Sequence, residues 1–422
     1  MTRQSAVDIA ARRAIEALRA GVPNQAAIRL LESAESGLRQ EFLARLRLCG
    51  SGLREEAQVE GIVIAGGFGA GKSHQLGCLG VLAQQENFIV SLVPISKETP
   101  MFNPAQMFAA AVRAAVVPAA NDDVMTAVMA RLHPNSDRYE SLEYWTTAET
   151  RAGRLSPLFA ALLHLIPRRT TDPDDHARIA RFFAGGKLGV TVVKSWLREA
   201  GAAKLFDVKP AREADLALQR IRFAPRLLRA AGYAGWCILI DEVELIARYS
   251  PLQRGRSYAE LARWLGLDQE EQIPGVVTVA AVTDDFADQM FHQRRDDECV
   301  PPLLETRGLL RQATMARSGI AWLDRRQTRL GAPDEAGLRR SLDKIKVLYR
   351  IAYGWEPPAT DIGERLAGKS MRQYVKSWIT SWDIERLYGE TPVIAAETIP
   401  IDYSESSEIE QAAISSDRDD AV

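Results

Sequence analysis

Apolar residues recur along this chain with two different periods, and the switches between them divide it. From Ser5 to Ala20 the spacing is helical, with Val7, Ala10, Ala11, Ala14, Ile15 and Leu18 on one face. Gly21 is placed to stop that helix, and Asn24 can cap a second one running through Leu31. A third amphipathic stretch runs from Ser33 to Leu48. The run "GIVIAGG" then breaks the helical period, being apolar at consecutive positions as a strand buried in a parallel sheet must be. A glycine-rich loop, a helix from about Lys72 to Gln85 and a second apolar run, "NFIVSLVPIS", follow. This order predicts a right-handed βαβ crossover.

Between Pro104 and Arg229 the helical period returns, in "PAQMFAAAVRAAVV", "SPLFAALLHLI", "HARIARFFAGG", "VTVVKSWLREAG" and "LALQRIRFAPRLLRAAG". Polar breaks such as "RRTTDPDD" separate these segments. The sheet resumes at "GWCILIDEVELI" and "GVVTVAAVTDD". Helices return from Leu303 onward, and in the last of them Met371, Tyr374, Val375, Trp378, Ile379 and Trp382 share one face. The pattern predicts an α/β fold with a parallel sheet. A helical segment over 1–50 precedes a core over 51–302, which carries a helical insertion over about 104–230. A helical lid over 303–390 and an acidic tail over 391–422, expected to be disordered, complete the chain.

Composition narrows the class. The chain has 422 residues, 46% hydrophobic and 26% charged, as ordinary globular proteins do. No apolar run reaches the roughly 18 residues of a membrane span, and the N-terminal helix lacks a signal-peptide core. Cys49, Cys78, Cys237 and Cys299 lie far apart without zinc spacing, which reads as free thiols in a reducing, cytoplasmic setting. The net charge of −2 gives no general attraction to nucleic acid. One basic segment stands out: Arg307 to Arg350 holds eleven Lys/Arg against four Asp/Glu, a weak hint of DNA contact.

The chemistry concentrates in three places. "GGFGAGKS", Gly66 to Ser73, has the spacing G-x-x-x-x-G-K-[ST] between an apolar run and a helix. Glycines let the backbone of Gly66, Gly67, Phe68, Gly69, Ala70 and Gly71 turn its N–H groups toward a phosphate. Lys72 reaches the terminal phosphates, Ser73 ligates Mg²⁺, and His74 abuts the loop. The second place is "WCILIDEVELI", where Asp241 and Glu242 follow four apolar residues. A carboxylate there holds Mg²⁺, and the next polarises the attacking water. Glu244 continues the acidic face or orients the site. The third is the end of "VVTVAAVTDD", where Thr283, or alternatively Asp284, would stand near the γ-phosphate. Arg307, Arg294 or Arg295 would act on a neighbour's nucleotide, and Arg372 would act from the lid. The remaining histidines are scattered and form neither a metal centre nor a triad.

With these residues the chain resembles the ATP-binding proteins of BREX-type bacterial phage-defence loci, the BrxC/BrxD P-loop family, and BrxD most closely. The resemblance rests on "RRAIEALRAGVPNQAAIRLL", "GGFGAGKSH", "VSLVPISKETP", "FAPRLLRAAGYAGWCILIDEVELI" and "SMRQYVKSW", and spans about Thr2 to Leu387. It implies an AAA+ core of the origin-recognition-like kind, with Val22, Pro23 and Asn24 near the adenine. It also implies ATP-dependent support of defence beside a methyltransferase, a phosphatase-like protein and often a helicase. Two departures follow. Lys72 and Asp241 stand 169 residues apart, so a large helical insertion intervenes, and no winged-helix segment follows the lid. The expected activity is ATP hydrolysis with Mg²⁺ in a homo-oligomer, driving assembly or remodelling of a DNA-directed complex. The alternatives are an ATP-dependent switch that recruits a helicase or methyltransferase with little turnover, and a DNA-loading factor.

Overall fold

The computed structural model describes residues 3–21, 28, 36–51, 57–118, 123–169, 172–331, 335–359 and 370–389. The Asn24-capped helix and the acidic tail expected over 391–422 lie outside the described residues.

Six strands form one sheet in the order β3-β2-β4-β5-β1-β6. These are β1 (Ile62–Ala65), β2 (Phe88–Pro94), β3 (Ala115–Val116), β4 (Gly235–Asp241), β5 (Val276–Val282) and β6 (Gln327–Arg329). All neighbours are parallel except β3, which pairs antiparallel with β2. The fold is therefore mixed α/β with a largely parallel sheet. Each principal strand is buried on both sides, and alternate residues enter different cores. Ile62, Ile64, Leu239, Val277 and Val279 face the helices α2 (Ser36–Gly50) and α3 (Lys72–Gln85). Val63, Ala65, Ile238, Ile240, Val276 and Ala280 face the other way, into the larger core.

That larger core contains the whole insertion. The chain leaves β2 into α4 (Pro104–Arg113), then α5 (Val124–Arg131), α6 (Asp137–Arg151), α7 (Pro157–Arg169), α8 (Pro173–Phe183), α9 (Val190–Glu199) and α10 (Glu213–Ala230) before returning as β4. Caps explain several starts: Asn103, Asp123, Ser136 and Asp172 each accept backbone N–H groups of the helix they precede. Trp236 on β4 ties insertion to sheet. Its ring meets Phe108 of α4 edge-on at 6.1 Å, and its Nε1 donates to Ser91 Oγ at 2.8 Å. Ser91 in turn donates to the Ala111 carbonyl, so a buried polar chain is satisfied at every link.

After β4 come a 3₁₀ turn (Val243–Arg248), α11 (Pro251–Trp264), β5, a π-helical turn (Asp288–Gln293), α12 (Asp296–Thr306), α13 (Leu310–Arg325) and β6. Here the packing departs from the expected division. Helices α12 and α13 belong to the main core, with Leu304, Ala313, Ile320 and Leu323 buried in it. A Cβ on Gly319 would stand 2.3 Å from the Tyr258 carbonyl, so α13 rides directly on the α11 backbone. The lid begins only after β6, with α14 (Glu335–Tyr353) and α15 (Met371–Tyr388). Nor is 1–50 one packing unit. The first helix, α1 (Arg3–Ala20), contributes Ala11 and Ile15 to the lid cluster around Tyr349, Trp378, Ile379 and Trp382, whereas α2 joins the sheet. Arg12 Nε donates to the Ala352 carbonyl, and Arg19 pairs with Asp383 at 2.8 Å. No described helix is long and apolar enough to cross a membrane.

Candidate functional site

The glycine loop leaves the C-terminal end of β1, between β5 and the edge strand β6. Gly69 (φ +80°) and Gly71 (φ +96°) take left-handed conformations that side chains resist, and α3 starts at the next residue. Gly71 caps α3 without a side-chain acceptor, so the first N–H groups of the helix keep their polarity for a ligand. Lys72 arches back over this loop. Its Nζ donates to the Gly66 carbonyl at 2.8 Å and reaches Gly67 O at 3.4 Å. The side chain is buried, yet among the described residues its hydrogen-bond acceptors are the loop carbonyls alone. Ser73 is half-buried on the first turn of α3.

Parallel pairing brings the acidic strand end to the same edge. Ala65 is in register with Val282 of β5 and Arg329 of β6, and β4 runs alongside β5. Asp241, the last residue of β4, is buried and accepts the Glu242 N–H at 2.9 Å. Glu242 itself takes a left-handed conformation (φ 58°), which throws its side chain out of the strand direction into solvent. Burial and then the Asp241 charge raise its pKa, with Lys72 opposing them. Glu244, on the 3₁₀ turn, is pushed up to about 7, chiefly by burial and against the pull of Lys72. Its Oε2 is buried without a hydrogen-bond partner. Lys72, Asp241, Glu242 and Glu244 thus lie within one electrostatic neighbourhood.

Other expected residues fall around this centre unevenly. Thr283 is wholly buried at the end of β5, whereas the exposed Asp284 faces the loop, its Oδ2 3.6 Å from a Cβ built on Gly67. His74 lies between α3 and the lid. Burial, with Lys344 of α14 nearby, lowers its pKa, and its Nε2 stands 3.5 Å from Cys78 Sγ. Arg372 belongs to the loop's surroundings: its N–H donates to Gly69 O at 3.2 Å, and its guanidinium lies 5.4 Å from the centre of the exposed Phe68 ring. The same guanidinium donates to the Gly21 carbonyl. Arg307 is exposed at the end of α12, on the helical layer built with α11 and α13. Arg294 donates to Ala247 O, and Arg295 pairs with Glu298. Val22, Pro23 and Asn24 lie outside the described residues. Their described flanks both touch the site: Gly21 meets Arg372, and Ile28 packs on Gly77 of α3 so closely that a Cβ there would be 2.2 Å from Ile28 Cδ1.

Sequence reasoning missed Ser370. It caps α15 with a capping box to Gln373, and its Oγ would stand 2.6 Å from a Cβ on Gly69. The signal was present as S-x-x-Q before an apolar run. The donor set suits a hard divalent cation. Among the described residues no group of three or more His, Cys, Asp or Glu side chains forms a metal cage. Mg²⁺ needs only one or two protein oxygens when phosphates and water supply the rest, which the Ser73 hydroxyl and Asp241 carboxylate can offer.

Residues 196–376 match the family model described as "BREX system ATP-binding protein BrxC/D". The matched stretch contains Asp241, Glu242, Thr283, Arg307 and Arg372, while the glycine loop precedes it. Neither a curated protein nor a solved structure matches the chain.

Proposed function

We propose that this chain is an ATP-binding and ATP-hydrolysing protein of a BREX-type phage-defence system, AAA+ in kind and nearest to BrxD. The observation that carries the reading is the meeting of Lys72, Asp241 and Glu242 at the C-terminal ends of β1 and β4, the two strands that flank β5, beneath a lid helix that places Arg372 on the same loop. The family match over residues 196–376 supports the defence context.

In this reading the N–H groups of the Gly66–Lys72 loop and the start of α3 hold the phosphates. Lys72 exchanges the Gly66 and Gly67 carbonyls for phosphate oxygens, a stronger, charge-assisted pairing. Ser73 and Asp241 hold Mg²⁺, which neutralises charge on the terminal phosphates. Glu242 orients the attacking water and takes its proton, and its raised pKa makes it a better base than an ordinary glutamate. Asp284 or Thr283 faces the γ-phosphate side. Arg372 adds positive charge from the lid, and the exposed Arg307 would serve a neighbouring copy in a homo-oligomer. Hydrolysis then drives assembly or remodelling of a DNA-directed complex with a helicase or methyltransferase of the system.

A switch with little turnover is the second reading. It is favoured by one contact, the Arg372 N–H on Gly69 O, which makes lid position report directly on the loop. Glu242→Gln separates the two. On the hydrolytic reading it retains ATP affinity and loses turnover by about 100-fold or more. Wild-type protein that turns over no faster than this variant, with Mg²⁺ and with or without DNA, would leave the switch alone standing.

A further inference from the structure

A second charged recess lies at the other end of the sheet. It is a cavity of about 460 Å³ lined by Arg131, His133, Ser136, Asp137, Arg138 and the Ala230–Gly232 backbone turn. Gly232 precedes β4, and Asn87, which precedes β2, donates from Nδ2 to its carbonyl. The recess therefore opens where β2 and β4 begin, whereas the glycine loop sits where parallel β1 ends.

Two cations converge in it. A Cβ built on Gly232 would stand 3.3 Å from Arg138 Nη1 and 3.8 Å from Arg131 Nη2. Gly232 has φ +91°, a left-handed conformation that favours glycine and turns the backbone beneath the two guanidinium groups. Arg131 also lies over the Tyr233 ring, 4.4 Å from its centre, a cation–π contact that helps to hold the guanidinium in place. Neither arginine has a carboxylate partner within ion-pair distance among the described residues. Two guanidinium groups in one recess, neither of them ion-paired, repel, and an oxyanion spanning both would relieve that repulsion. Asp137 is the one acid lining the recess, on the first turn of α6, with His133 and the Ser136 hydroxyl beside it. Ser136 Oγ donates to His133 O and accepts the Tyr139 N–H, so it shapes the wall.

We propose that this recess binds the phosphate group of a small phosphorylated ligand, held between Arg131 and Arg138. Its volume admits a phosphate with a modest organic body such as a nucleoside monophosphate, and is far short of a duplex. The site is separate from the glycine loop and does not depend on how that loop uses ATP.

The test uses the full chain carrying Lys72→Ala, which weakens phosphate binding at the glycine loop. Calorimetric titration with AMP, and separately with inorganic pyrophosphate, should detect one binding event whose affinity falls steeply with salt. Adding Arg131→Gln and Arg138→Gln should weaken it at least about tenfold. Asp137→Asn should tighten it, a gain that loss of structure cannot produce. The exposed positions of all three residues make these variants compatible with folding, which far-ultraviolet circular dichroism verifies. Unchanged affinity in the double arginine variant, or binding abolished by Lys72→Ala alone, overturns the proposal. So does a single-stranded oligonucleotide that binds through the two arginines when AMP and pyrophosphate do not.

Discussion

Glu244 shows how a single side chain can register the state of the site. Its folded pKa, about 7, lies above the usual glutamate value because burial penalises the carboxylate. The folded protein therefore binds more protons than the unfolded chain between about pH 4.5 and 7, and this group's contribution to stability is lost as pH rises through that window. Glu244→Gln should melt at a higher temperature than wild type at pH 8, by about 1–3 kcal/mol of stability, and should match it near pH 4.5. Scans without nucleotide or Mg²⁺ read this difference, and an equal melting point at pH 8 would remove the burial cost assigned to the Glu244 carboxylate. Lys72 makes the complementary case. Because its ammonium meets only loop carbonyls, Lys72→Ala should lower ATP affinity by about 10- to 100-fold and leave the nucleotide-free melting point nearly unchanged. The glycine loop and the Asp241–Glu242 pair were legible in the sequence because backbone geometry and metal chemistry constrain both residue type and spacing. Asp284 facing Gly67 was readable only as an alternative to Thr283. Both residues end the same strand, and strand pleat together with the following turn decides which side chain meets the loop.

Elements repeat the contrast. The strand β1, the helix Lys72–Gln85 and the apolar face of α15 follow directly from periodicity, since burial on two sides or on one stripe leaves a distinct signature. Strands β3 and β6 left none. "AV" and "QTR" are too short or too polar to be seen, and β6 exists because β1 offers it a parallel edge. Without β6 the end of the core could not be located, so the last turn of α12 and the whole of α13 read as part of the lid. The lid that does form is a three-helix cluster, and it should respond as one unit. Trp382→Ala, removing a fully buried ring, should cost about 3–5 kcal/mol within that cluster. Hydrogen exchange should then quicken together in α1, α14 and α15 while β4 and β5 stay protected. Faster exchange in α15 alone would show that α1 is not a true member of the cluster.

At the scale of the molecule, the 168 residues between Lys72 and Asp241 could have formed an appended domain. Instead the insertion shares one continuous apolar core with the sheet, from Phe108 and Phe159 through Trp236 to Trp264. Replacing residues 104–230 by a short linker should therefore yield an insoluble or unfolded chain and not a smaller folded protein. A soluble product with a cooperative thermal transition would contradict that continuity. The insertion's apolar periodicity announced helices, but which face each presents to the sheet depends on partners far along the chain, and no local pattern carries that information.

The pairing of α1 with α14 and α15 also orders events at the ribosome. Arg12 and the Ala352 carbonyl it binds are 340 positions apart, so the apolar stripe of α1 emerges long before its partners exist. From the synthesis of residue 73 until that of α15, the nascent chain holds a glycine loop with no lid above it. Closure of the lid over the glycine loop is thus a late event in biogenesis, and a chain cut short before α15 would carry the loop without the Arg372 contact that covers it.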